Sequence, residues 1–290
     1  MELFCPAGLQ EALDLLSDAG GAASVIGGGT DVIPGLRTGA LRFRPIERLV
    51  DINGVPELKC IRQDGDEIVV GAGNNFTDLA DSQLVQDHAP LLAQAAESIG
   101  SVQIRNRATI GGNLANNAPC ADSIPPLLAY NATVRILSAS GERLLALQDL
   151  LLEPYRTTLR PGELLAEIRV PILRKRYAGR FFKLGRRRGV AISRISLAVL
   201  LRLANERVSG LRIASGAVTP VPSRFSAIEE SARNEIADSR LFIQVSRSVA
   251  EQILEMTGLR WSSSYKLPVL QLMLYQILQS LAIRAREEGA

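Results

Sequence analysis

Histidine and cysteine are almost missing from this chain of 290 residues, which holds one histidine and three cysteines. Cys5, Cys60 and Cys120 lie far apart with no C-x-x-C spacing, so neither a zinc site nor an iron–sulfur cluster can be assembled from them. A lone His88 supplies neither a metal site nor an acid–base pair, and it reads as a structural residue in a loop before a helix. No catalytic residue and no metal ligand is therefore expected in this chain. An excess of one charge is missing too: 33 Lys and Arg stand against 30 Asp and Glu, a net charge of +3 that is too small and scattered to imply nucleic acid. No stretch reads as a membrane span, because residues 195–203 are too short and residues 267–283 are interrupted by Gln271, Gln276, Gln279 and Ser280. Residues 1–6 have no basic start and no long apolar core, so no secretory signal is expected and a cytoplasmic location follows.

What is present is glycine, in two segments: Val25-Ile26-Gly27-Gly28-Gly29-Thr30-Asp31-Val32, and Ala108-Thr109-Ile110-Gly111-Gly112-Asn113-Leu114-Ala115-Asn116, running on to Cys120-Ala121-Asp122-Ser123. Repeated glycine beside small polar residues suggests backbone pressed against something that leaves no room for a β-carbon. Successive amides in a tight turn form an anion-binding concavity, and a helix N-terminus adds about half a positive charge. Each segment alone could be a plain turn; two of them, flanked by Thr, Asn and Asp, favour a phosphate ligand. Val32 stands where a dinucleotide fingerprint would place its last glycine, and no Gly-Lys-Ser/Thr triplet exists, which disfavours Rossmann and P-loop readings. Two separated loops suit a long ligand with two phosphates.

Hydrophobic period organises the rest. Leu9, Ala12, Leu13, Leu15 and Leu16 mark a short helix stopped by Gly20 and Gly21. Strands are expected over 24–26, 58–61, 67–71, 133–137 and 164–170, with helical spacing over 79–99 and from Ile124 to Leu128 and Ala129. Beyond Pro171 the rhythm changes to strands over 181–184, 196–203 and 210–218, a break at Pro220-Val221-Pro222, and helices over 236–256 and 264–288. Val269, Leu270, Met273, Leu274, Ile277, Leu278 and Leu281 form an apolar stripe read as core. The run Arg186-Arg187-Arg188 is either a solvated face or a contact for an anionic cofactor or partner. A chain with 47% hydrophobic residues can bury two or more cores.

The two glycine segments, together with Gln103-Ile104-Arg105-Asn106, Tyr155-Arg156, Phe182-Lys183-Leu184-Gly185-Arg186-Arg187 and Ser264-Tyr265-Lys266, resemble the FAD-binding medium subunits of molybdenum hydroxylases, the xanthine, carbon monoxide and nicotinate dehydrogenase group. The resemblance covers nearly the whole chain. It implies an α+β fold class: a two-part FAD-binding domain of the PCMH (vanillyl-alcohol-oxidase-like) type over 1–174, with subdomains about 1–56 and 57–174, and a C-terminal flavoprotein domain of strands then helices over 175–290. The implied cofactor is FAD. The implied partners are an iron–sulfur subunit and a molybdopterin-containing subunit of one complex, with electrons passed to NAD or another acceptor. A flavin oxidoreductase acting alone and a cofactor-free scaffold subunit are the alternatives.

The resemblance also assigns roles. Val25, Ile26, Gly27, Gly28, Gly29, Thr30, Asp31 and Val32 would bind the cofactor, the amides from Gly27 to Val32 and the Thr30 hydroxyl holding the pyrophosphate, with Thr109, Gly111, Gly112, Asn113 and Asn116 on the other side of the ligand. Asp122 would accept from ribityl or adenosine hydroxyls, and alternatively caps the following helix. Lys183 would stand near the flavin, where positive charge favours the reduced anionic ring; alone it is a strand-end lysine. Leu164 or Leu165 would press on the ring, Ile99 and Ile104 would line the flavin region, and all four are otherwise core residues. The chain departs from the family after Arg187-Arg188, where Val190-Ala191-Ile192-Ser193 replaces the common Asp-Ile-Ala and leaves the acceptor open. Cys120 replaces a usually small residue and is expected to be a buried, inert thiol.

Overall fold

A computed structural model describes residues 1–18, 21–187 and 189–287. At its N-terminus, strand β1 (Glu2–Phe4), helix α1 (Leu9–Ser17), strand β2 (Ala23–Ile26), helix α2 (Val32–Arg37) and strand β3 (Arg48–Asp51) build a parallel sheet of order β1-β3-β2. The spacing of Ala12, Leu13 and Leu16 puts them on one face of α1, where they pack with Val50, Ile52 and Val55. Leu137, Leu164 and Ala166 of the next sheet join the same core. Gly20, read as a helix stop, lies outside the described residues.

Strands β4 (Ile61–Asp64) and β5 (Glu67–Gly71) follow as a hairpin turning at Gly65, whose φ is +58°. Residues 58–61 are not a strand. Pro56 opens a 3-10 turn through Leu58, and pairing starts only at Ile61, because proline fixes φ and offers no amide to a ladder. The helical spacing over 79–99 resolves into α3 (Phe76–Asp81), α4 (Gln83–His88) and α5 (Pro90–Ser98). Ser82 ends α3 and caps α4, Pro90 opens α5, and His88 thus closes a helix rather than sitting in a loop. Helices α6 (Val102–Arg105), α7 (Ile110–Asn116) and α8 (Ile124–Ala129) come next. Then come β6 (Thr133–Ser138), β7 (Gly141–Ala146), α9 (Leu147–Leu150), the short hairpin of β8 (Leu151–Glu153) and β9 (Arg156–Thr157), and β10 (Leu164–Pro171). The antiparallel sheet runs β4-β5-β10-β6-β7, with β10 at its centre and buried over most of its length.

The last third is an antiparallel meander of β11 (Ala178–Gly185), β12 (Ser193–Ala204), β13 (Arg207–Gly216) and β14 (Ser223–Arg224), followed by α10 (Ser226–Ser231), α11 (Ser239–Thr257) and α12 (Ser263–Glu287). Asn205 and Glu206, both at positive φ, make the two-residue turn between β12 and β13. Along β12 the side chains alternate. Ile195, Leu197, Val199 and Leu201 meet Leu270, Leu274, Ile277 and Leu278 of α12, while Ala198 and Leu200 join the core of the five-stranded sheet. Helix α12 is long and apolar enough, by length and composition, to cross a membrane, a length that the interrupted stretch read from the sequence understates; its apolar stripe is packed on the meander. Glu288 lies outside the described residues.

The first two units meet at glycine. A β-carbon on Gly28 would stand 1.9 Å from the carbonyl oxygen of Arg107, and one on Gly27 would stand 2.8 Å from Thr109 Oγ1. Backbone therefore packs on backbone where the β2–α2 turn crosses the segment before α7. Gly28→Ala should lower stability by roughly 1–3 kcal/mol, the range for overpacking a filled interior. Gly189→Ala, at an open position with nothing within 4 Å of the added carbon, should cost far less. Urea unfolding midpoints compare the two, and equal midpoints would contradict the crossing.

Candidate functional site

The turn out of β2 is shaped by one left-handed residue, Gly29 at φ +70°, which a β-carbon would strain. Around it, no backbone or side-chain acceptor among the described residues takes the amides of residues 28–32. Exposed successive amides of this kind present positive charge to an anion. The second glycine segment behaves differently, because it is itself the first turn of α7. Ile110 N donates to Asn74 O, Gly111 N to Ala72 O, Asn113 N to Thr109 O, and Gly112 N to the Thr109 hydroxyl at 3.1 Å, so Thr109 is the N-cap of the helix. Its amides are already satisfied, which corrects the expectation of a tight turn with open donors. Gly111 is needed because a β-carbon there would meet Ala72 at 2.6 Å, whereas Gly112 leaves its space free except for Thr109 Oγ1 at 2.9 Å.

Between the two segments lies a cavity of about 360 Å³. Val25, Gly27, Gly28, Gly29, Thr30, Asp31 and Val32 line one side, and Thr109, Gly111, Gly112, Asn113 and Asn116 line the other. Leu164 and Leu165 complete an apolar wall at the start of β10. The β-bulge between Leu165 and Glu167 accompanies this, since Leu164 belongs to the N-terminal core and Leu165 to the central one. Ile26 is buried beneath the turn and does not line the cavity.

Several lining residues carried no site signal in the sequence. Asn117 ends α7 in the left-handed region, and its side-chain amide donates to the carbonyls of Glu153 and Arg156, both at 2.9 Å. That pins the β8–β9 hairpin and holds Tyr155, at φ 62°, over the cavity mouth. The Arg42 guanidinium stacks 4.4 Å from the Tyr155 ring centroid, donates to Asn116 Oδ1 at 3.1 Å and faces Asp31 at 3.7 Å. Tyr155-Arg156 was visible as a family segment. Arg42 had no signal at all, being one arginine in an irregular loop.

Four expected residues gather elsewhere or stand apart. Lys183 Nζ lies 2.7 Å from Asp122 Oδ2 and donates to Ser98 O at 2.8 Å, while the Ser193 hydroxyl donates to Asp122 Oδ1 at 2.5 Å. Asp122 is 4% exposed, so this is an ion pair between the α7–α8 segment and the C-terminal meander, not a cavity wall. Ile99 packs beside Ser98 against the central core, and Ile104, 38% exposed, packs under Gly100. Asp122 does not cap α8; no side chain caps that helix. Cys120 joins the two groups electrostatically: burial, then Asp122 and Asp31, push its thiol up, and Lys183 opposes them. The thiol is thus kept protonated at neutral pH, half-buried rather than fully buried as expected. No group of three or more His, Cys, Asp or Glu that could hold a metal occurs among the described residues.

A family model described as the FAD binding domain in molybdopterin dehydrogenase matches residues 1–173, and one for the CO dehydrogenase flavoprotein C-terminal domain matches residues 180–281. The chain is 34% identical over 273 residues to a xanthine dehydrogenase FAD-binding subunit of Escherichia coli O157:H7, covering 93% of this chain and 92% of the relative. It is 36% identical over 223 residues to the carbon monoxide dehydrogenase medium chain of Hydrogenophaga pseudoflava, covering 77% and 76%. Among solved structures, carbon monoxide dehydrogenase from Hydrogenophaga pseudoflava lacking the Mo-pyranopterin moiety aligns with a TM-score of 0.89 at 30% identity over 98% of both chains.

The rim of the cavity at residues 160–163 is held by charge. Arg143 bonds both carboxylate oxygens of Glu163, at 2.8 and 2.7 Å, and Arg160 N donates to it at 2.7 Å. The Arg143 hydrogen bonds hold the Glu163 carboxyl below its ordinary value of 4.5, against the opposing effect of burial. A depressed folded-state value stabilises the fold above the unfolded value and loses that contribution as pH falls through the folded one. Glu163→Gln should therefore cost about 1 kcal/mol at pH 7, and the difference from the parent protein should shrink as pH falls below the ordinary carboxyl value. Urea unfolding across that pH range measures this, and a pH-independent difference would refute it.

Proposed function

This chain belongs to the family of FAD-binding subunits of molybdopterin dehydrogenases, and from that membership we propose that it is the FAD-carrying electron-transfer subunit of a heteromeric molybdenum hydroxylase. In this reading an iron–sulfur subunit delivers electrons released at a molybdopterin-containing subunit, and the pair leaves to NAD or another acceptor. Bound FAD supplies the conversion between one- and two-electron transfer. The observation that carries the reading is the cavity that joins open amides on one wall to a side-chain-free helix turn on the other.

The residues present fit the dinucleotide. The amides of residues 28–32 and the Thr30 hydroxyl meet the pyrophosphate, and Arg42 neutralises Asp31 beside them so that the loop's own carboxylate does not repel it. Gly112 gives the ligand the space a side chain would take, and Asn113 and Asn116 offer amide groups on that wall. Leu164 and Leu165 exclude water from the flat face of the ring. Ile99, Asp122 and Lys183 form the layer behind. Ile26 and Ile104 support the turn and the α6 segment from beneath.

The same reading divides the chain at about residue 174, with parts near 1–56 and 57–174 before it and 175–290 after it, and the three larger of the four sheets, one in each part, support this. A cytoplasmic, membrane-free subunit is favoured by the packing of the α12 stripe against the meander.

The purified chain should show flavin absorbance and release a compound with the mass of FAD. Colourless protein that takes up no added FAD would overturn the reading in favour of a scaffold. Gly112→Val should lose most bound FAD and, because its β-carbon meets the Thr109 cap hydroxyl at 2.9 Å, should also lower the unfolding midpoint modestly; a folded variant with full FAD occupancy would remove this wall from the site.

A further inference from the structure

We propose that the surface made by residues 186–194 and 258–266 docks a carboxylate-rimmed, apolar-centred face of another chain of the complex, an inference that rests on reading this protein as a subunit. The two segments are remote in sequence and belong to the β11–β12 and α11–α12 connections. Arg194 brings them together, its guanidinium 5.8 Å from the centroid of Trp261, the single tryptophan of the chain.

Three large apolar side chains stand in water on these segments: Leu259 is 87% exposed, Trp261 84% and Ile192 77%. Val190 and Tyr265 are each 53% exposed beside them. One such residue is ordinary on a protein surface, but several on two adjoining turns mark an interaction site. The charge around them has one sign. Neither segment contains an Asp or Glu, and Arg186, Arg187, Arg194, Arg260 and Lys266 form no ion pair among the described residues. Burial and the neighbouring Arg194 and Arg260 hold the Lys266 ammonium below its ordinary value. Arg188 lies outside the described residues.

Tryptophan and arginine are the residues that dominate the centres of protein interfaces, and an unbalanced cationic rim selects a partner bearing carboxylates. Two short connections, rather than a continuous amphipathic helix, favour a protein over a lipid surface. The patch is also anchored to the layer behind the cavity. Ser193 bonds Asp122 at 2.5 Å, Lys266 Nζ donates to Ala217 O at 2.7 Å, and Ala217 N donates to Pro119 O at 2.7 Å. A chain docked here would rest against the segment that carries Asp122 and Cys120.

The test uses the complex isolated from its source through a tag on this chain, with the photoreactive exchange Trp261→benzoylphenylalanine. Irradiation should link position 261 to an acidic segment of a stoichiometric partner chain. The double variant Arg194→Glu, Arg260→Glu should retain about tenfold less of that partner, with flavin absorbance per chain and melting temperature unchanged. Links only to a second copy of this chain or to lipid, no link at all, or full retention of the partner would each overturn the proposal. Flavin absorbance of the parent protein is read separately, so loss of the FAD reading alone leaves the cross-link result intact.

Discussion

Everything at this site depends on one contact without side chains, the crossing of the β2–α2 turn over residues 107–109. Gly28 meets the Arg107 carbonyl so closely that even a methyl group could not stand between them, and beside it Gly27 leaves room for the Thr109 side chain. The crossing sets the width of the cavity, because the open amides of residues 28–32 continue from one strand of the contact and α7 starts from the other. Close packing leaves such a crossing no slack, since a filled interior cannot yield by a methylene without cost. Glycine is thus required here twice over, for the approach of the chain to itself and, at Gly29, for a left-handed turn.

The two walls differ in what they offer. One presents donors that nothing else in the chain uses; the other has spent its donors on capping and keeps only empty space and side-chain amides. A helix N-terminus with its first amides satisfied is a rigid surface rather than an anion trap. Positive charge at the mouth comes from Arg42, which is held by an aromatic ring and two polar partners from three separate segments. A second charged pair, Lys183 with Asp122, ties the C-terminal meander to the chain between α7 and α8 and is protected from water. Burying both ions in one geometry makes loss of either partner costly, which fixes how the C-terminal meander sits against the α7–α8 segment.

Much of this was legible in the residues themselves. Period-2 and period-3.6 spacing located β5, β6, β10, α1, α8, α11 and α12 to within a few residues, because those segments alternate or repeat cleanly, whereas the six-residue α10 was too short to show a period. The short parallel strand β3 and the hairpin strand β7 carried weak patterns, and the division into α3, α4 and α5 hung on Ser82 and Pro90, local punctuation that an apolar stripe overrides in a simple reading. The glycine segments and their flanking Thr, Asn and Asp line both walls of the cavity. Arg42 and the rim at residues 160–163 stayed invisible, because each is an ordinary residue made special only by what is folded next to it, and Tyr155 showed only as part of a family segment with no role attached.

Sequence by itself determined the chemistry on offer: two runs of backbone free of side chains, an Asp and a Lys in recognisable surroundings, and no set of metal ligands. Only the tertiary structure decided which of these face one another. It turned the second glycine run into a capped helix, moved Asp122 and Lys183 out of the cavity wall into a buried ion pair, and brought Arg194 beside Trp261. The physical reason is that local pattern fixes the conformation available to a segment, whereas the partner of each amide, carboxylate or ring is set by long-range packing between segments far apart in the chain.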